Sequence, residues 1–249
     1  MTHQSIEELL ADMRAEDAAL TAAGDARRFF HATYTRTTAA VAAEIARGGF
    51  ADNDWVHRWD LVFADIYLAA LAADRAGEPI AGPWRVAFDT ALHQPDLPPV
   101  RHVLYGMNAH INYDLPQALL RVIDEAGFDD EELLGRRLAD HRHLDTVLLS
   151  RIGAEDAELT AISRLTLLDR LIAPLNRAAT ARFLTESRAK VWRNARALDR
   201  ARRAGGTEYA ATLAELDRLC AARLRDLAAP GQVLLRLARR GFGVLLPGA

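Results

Sequence analysis

The chain has 249 residues, 50% of them hydrophobic and 26% charged, which excludes disorder as its main state and leaves room for one large domain or two small ones. Its 31 basic and 34 acidic residues leave a formal net charge of -3, so no overall field draws it to nucleic acid or anionic lipid. The single cysteine, Cys220, excludes an intramolecular disulfide and sits in a helical pattern beside Leu219 and Leu224, as a packing residue.

In chain order, Ser5 and Glu8 have capping-box spacing, and Ile6, Leu9, Leu10 and Met13 recur at helical intervals up to Gly24. From Ala26, the residues Phe29, Phe30, Tyr34, Val41 and Ile45 carry a second helix to a stop at Gly48-Gly49. Asp52, Asn53 and Asp54 can cap a third, ended by Gly77, with Trp55, Trp59, Phe63, Tyr67 and Leu71 one turn apart. Pro83 opens a short helix that the QPDLPP turn closes. After Gly127, Asp129 and Glu132 start a helix reaching about Gly153, and a similar pattern continues to Pro174. Two long patterns follow, 175–204 and, past Gly205-Gly206, 207–229, before a tail that reads as one more amphipathic turn or two.

No alternating run carries hairpin chemistry, no run approaches about 18 uncharged apolar residues, and the first residues lack the basic and apolar regions of a leader. The expectation is an all-α, single-domain bundle of about nine or ten helices over residues 1–249, with 205–249 as a candidate C-terminal helical appendage. Cytoplasm is the expected location, with neither nucleic acid nor membrane as a partner; the Ala- and Arg-rich composition suggests a bacterial high-GC genome, and the oligomeric state is not legible.

One stretch stands apart. Residues Gly106 to Pro116, GMNAHINYDLP, put a polar side chain at every second position: Asn108, His110, Asn112 and Asp114. The alternation has the period of a strand, but an isolated strand in a helical chain would leave its backbone groups unpaired. Val103, Met107 and Ile111 keep helical spacing through the segment, and Pro116 can be absorbed as a kink or a break. On a helix at roughly 100° per residue, His110 and Asp114 share one face and Asn108 and Asn112 another, roughly 160° around. The histidine and aspartate form a candidate acid-base dyad, in which the carboxylate fixes the imidazole tautomer. The asparagines either polarise a substrate carbonyl or satisfy backbone groups near the break.

No cofactor is identifiable, and a divalent metal is the one candidate. His102 and His110 are eight residues apart, about 12 Å of helical rise, too far to share an ion unless the helix breaks. His110 and Asp114 could share one only with a third ligand from another helix, and Asp60, Asp65, His57 and His31 are the choices, Asp60 first. The HRHLD stretch, with His141, His143 and Asp145 among arginines, reads as a solvated face. The nucleophile-elbow, phosphate-loop and dinucleotide motifs are absent, as are paired Glu-x-x-His motifs.

The GMNAHINYDLP segment resembles the GMNAHIN-x-DLP signature of a bacterial family whose function is unknown. Phe30, Tyr34, Thr38 and Val41, the WDLVFADIYLAAL stretch with Asp60, Phe63 and Tyr67, the Pro83-Trp84 pair, and SRAKVW from Ser187 to Trp192 are also similar to that family, over most of residues 12 to 200. The resemblance implies that Asn108, His110, Asn112, Asp114, Asp60 and Arg188 are site positions.

Two expectations follow. In the first, the protein is an enzyme acting on a small molecule between helices, with His110 as acid or base, Asp114 orienting it, Asn108, Asn112 and Asp60 assisting, and Trp59, Tyr67, Trp84, Met107 and Arg188 binding substrate; a metal on His110, Asp114 and Asp60 is its variant. In the second, the protein binds a ligand or partner without catalysis, and the polar segment is a structural network.

Overall fold

Local signals start most of the helices. In the computed structural model, which describes residues 3–162, 167–228 and 243–249, Ser5 Oγ accepts from the Glu8 N–H and α1 follows as Ile6–Ala22. Helix α2 is Arg28–Ala46, and α3, Asn53–Arg75, is capped by Asp52, whose carboxylate accepts from the Trp55 N–H at 2.8 Å. Prolines stand in the first turns of α4 (Gly82–His93) and α5 (Pro99–Ala109), where a missing N–H costs nothing. A π-helical turn, His110–Asp114, leads into α6 (Leu115–Val122), followed by α7 (Glu125–Asp129), α8 (Glu131–Ile162), α9 (Leu167–Ala204) and α10 (Gly206–Ala228). Among the described residues there is no strand, as expected of an all-α chain.

Two expected breaks do not occur: α8 runs through Gly153 and α9 through Pro174. A glycine costs a helix about 1 kcal/mol and an interior proline about 3. Helices of 32 and 38 residues absorb such losses.

One main core joins Trp55, Trp59, Phe63 and Tyr67 of α3 to Leu115 and Leu119 of α6, Leu198 of α9 and Leu216 and Leu224 of α10. Helix α10 packs on α4 and α9, and the π turn touches α3, α9 and α10, so the polar motif lies at the centre of the packing. The segment 243–249 is tied in by Asn194, whose amide donates to the Val244 carbonyl and accepts from the Leu246 N–H, each at 2.9 Å. The stretch read as a candidate appendage thus contributes Leu216, Cys220, Leu224, Val244 and Leu246 to the main core. Most of the expected amphipathic tail, 229–242, lies outside the described residues. No described helix is long and apolar enough to cross a membrane.

Candidate functional site

The site begins with a proline. Pro116 has no N–H to donate, and its ring crowds the carbonyl four residues earlier. The chain widens instead of breaking: the Leu115 N–H bonds to the His110 carbonyl, five residues back, and the helix continues from α5 into α6. Gly106, just before this turn, lets α2 approach closely, because a Cβ there would stand 2.2 Å from Phe30 Cγ.

On the π turn His110 Nδ1 and Asp114 Oδ2 lie 2.9 Å apart, and the Trp84 indole N–H donates to the same oxygen at 2.9 Å. The dyad expected from the i, i+4 spacing is therefore formed, with a second donor from α4. Aromatic rings enclose the imidazole. Phe63 stacks on it with centroids 3.6 Å apart and planes 3° from parallel, and Tyr34 meets it edge-on at 4.5 Å. Phe30, Tyr67 and Trp84 complete the cage at 6.1, 5.8 and 6.0 Å.

Burial dominates the electrostatics. It pushes the His110 imidazole well below its usual range and the Asp114 carboxyl well above its own, against the opposing Trp84 N–H and Arg121 charge. Both shifts disfavour the charged form of each group. Asp60, desolvated on α3, is pushed up to about 7. The Tyr34 phenol is pushed up by burial first and by the Asp60 charge second, with Thr38 opposing and Asp114 adding to the rise, so these groups share one neighbourhood.

Three polar atoms there have no partner, His110 Nε2, Asp114 Oδ1 and Asp60 Oδ2, and the Tyr34 and Thr38 hydroxyls have only each other. Folded proteins leave few buried polar groups unpaired, and a cluster of them marks room for water or a polar molecule. The residual exposure is small. Asp60, Phe63 and Tyr34 keep 8, 9 and 7% exposure, against 2% for His110 and 0% for Asp114, so the whole group is buried.

Several expected site residues are placed elsewhere. Asn108 donates to the Leu104 carbonyl at 2.8 Å, and Asn112 donates to Asn108 Oδ1 at 3.2 Å while accepting from the Val244 N–H. The asparagines hold the bulge and the C-terminal segment, the backbone task weighed for them, and do not serve the imidazole. Trp59 stacks on Trp55 and on His141, and Arg188 lies over Trp59 and pairs with Asp145, so these two belong to a second cluster. Met107 is half-buried and packs against both the main core and a smaller cluster of Ala26, Phe29, Ala91 and Val103, outside the ring cage.

Among the described residues no three His, Cys, Asp or Glu side chains gather to hold a metal, which corrects the set His110, Asp114 and Asp60. Of the other candidates, His31 bonds to Tyr67 and the Met13 carbonyl, and Asp65 accepts from His3. The HRHLD face is corrected too: His141 is buried and stacked, because α8 turns that face inward while Arg136 and Arg142 stay exposed.

Tyr34, Thr38 and Phe63 were not singled out as site residues from the sequence. The available signal was the i, i+4 run of Phe30, Tyr34 and Thr38 on α2, which by itself reads as core.

The protein is thus an all-helical bundle that buries a histidine–aspartate pair in an aromatic cage on a π turn. The chain belongs to the family of unknown function DUF5995, whose model matches residues 6–230, as the resemblance implied. No curated protein and no solved structure matches it.

Proposed function

We propose that the protein is an enzyme of the bacterial cytoplasm that processes a small polar molecule by acid-base chemistry at His110. The observation that carries this reading is the unpartnered His110 Nε2 beside the unpartnered carboxyl oxygens of Asp114 and Asp60. His110 Nε2 is the proton acceptor when Nδ1 carries the proton toward Asp114, and burial keeps the imidazole in its neutral form while weakening it as a base. Asp60, with its carboxyl near 7, supplies a group that gives or takes a proton at neutral pH. The Tyr34 and Thr38 hydroxyls orient the bound molecule, and Asp114 and Trp84 are positioning residues. Hydrolysis, elimination and cyclisation are the reaction classes this set can serve without a bound metal; nucleic acid and membrane are not its partners.

The near-complete burial of His110 and Asp114 favours a second reading, a neutral network that fixes the packing of α5 and α6. One experiment separates the two. Compounds from a metabolite library that raise the thermal midpoint of the wild type are incubated with wild type and His110→Gln, and products are followed by mass spectrometry. The enzymatic reading expects a compound that the wild type converts and the folded variant does not. It is wrong if every stabilising compound emerges unchanged from the wild type, or if His110→Gln converts it equally well.

A further inference from the structure

A second buried cluster is not used by the chemistry at His110. Trp55 and Trp59 of α3 stack with centroids 5.1 Å apart, His141 of α8 continues the stack at 5.4 Å, and Trp192 of α9 meets His141 edge-on at 5.7 Å. The Arg188 guanidinium lies 5.8 Å from the Trp59 ring centre, buried to 2% exposure. The three indole N–H groups and His141 Nε2 all lack partners.

The donor inventory defines what fits. An indole N–H can only donate, and a guanidinium has five N–H groups and no acceptor. Of Arg188's donors, one bonds to Asp145 and one reaches the His141 carbonyl at 3.3 Å. The nearby carboxylates are engaged: Asp145 holds Arg188, and Asp140 accepts from the Ala51 and Asp52 N–H groups at 2.7 and 3.1 Å. A second guanidinium, Arg137, stands 4.7 Å from the Trp55 ring centre and is held by Asp52. The cluster therefore offers an excess of unpaired donors in a water-poor setting, with both guanidiniums already held by carboxylates, and its complement is a group of several acceptor oxygens, as on a carboxylate or an inorganic oxyanion.

We propose that the Trp55, Trp59, His141, Trp192 and Arg188 cluster is a binding site for a small oxyanion, either a carboxylate or an inorganic oxyanion, separate from the His110 cage. The site does not depend on turnover at His110. Three of the chain's 4 tryptophans are in it, so intrinsic fluorescence reports on it directly. Phosphate, sulfate and acetate are titrated into the full chain at constant ionic strength, with chloride as the reference.

A saturable emission change with at least one oxyanion and none with chloride is expected, and which anion acts distinguishes the carboxylate from the inorganic source. Trp59→Phe and Trp192→Phe each keep an aromatic ring of smaller size and remove one unpaired N–H. Both variants are expected to melt cooperatively, at a temperature lowered by the lost ring volume, and to bind the anion more weakly, each by at least threefold. The proposal is overturned if no oxyanion produces saturation up to 20-fold above chloride's linear effect, or if both variants bind as tightly as the wild type.

Discussion

Replacing Asp60 with asparagine tests the electrostatic description of the site most sharply. The carboxyl is buried and pushed up to about 7 by desolvation alone, whereas in the unfolded chain it titrates near 4. A folded-state value above the unfolded one means that stability is fully present below about pH 4 and is lost as pH rises toward 7. Between pH 5 and pH 7 the unfolded chain is ionised and the folded one is not, so each pH unit removes about 1.4 kcal/mol, or about 2–3 kcal/mol between pH 5 and 8. Asp60→Asn has no such titration and nearly the same volume. The variant should therefore gain about 2–3 kcal/mol on the wild type between pH 5 and pH 8, whatever its offset at pH 5. Urea denaturation of both proteins at the two pH values measures this double difference, in which the other titrating groups cancel. A difference below about 0.5 kcal/mol would mean that Asp60 ionises as freely in the fold as in water, and the reasoning about a dry acid-base site would fail with it.

Gly106→Ala should destabilise the fold by about 1–3 kcal/mol by driving a methyl into the Phe30 ring, and an unchanged melting temperature would refute the close approach of α2 and α5. His31, bonded to the Met13 carbonyl and the Tyr67 hydroxyl, is pushed down by burial against the opposing Met13 carbonyl, so the unfolded chain takes up its proton first. Stability from this group is present above about pH 6.5 and lost as pH falls, so His31→Gln should lose less stability than the wild type between pH 7 and pH 5 in the same denaturation assay, and an equal loss would refute the assignment. Asn194→Ala should cost about 1–3 kcal/mol by freeing the Val244 carbonyl and the Leu246 N–H, and hydrogen exchange at Leu246 should accelerate in step.

Periodicity and caps made the helices legible, because Ser5 and Asp52 act through neighbours three residues away and the α3 stripe repeats every turn. The His110–Asp114 bond was legible for the same reason, since i, i+4 contact is a local property of a helix. Gly153 and Pro174 misled because a breaker is a local cost, while helix length is decided by everything the helix packs against. The sequence by itself thus determined an all-helical chain and the pairing within its polar motif. Only the tertiary structure decided that Phe63, Tyr34 and Trp84 surround the imidazole, that Trp59 and Arg188 join His141 instead, and that the asparagines serve the C-terminal segment. Those contacts join residues far apart in the chain, and their partners are set by which helix faces meet, a choice that no short window of sequence contains.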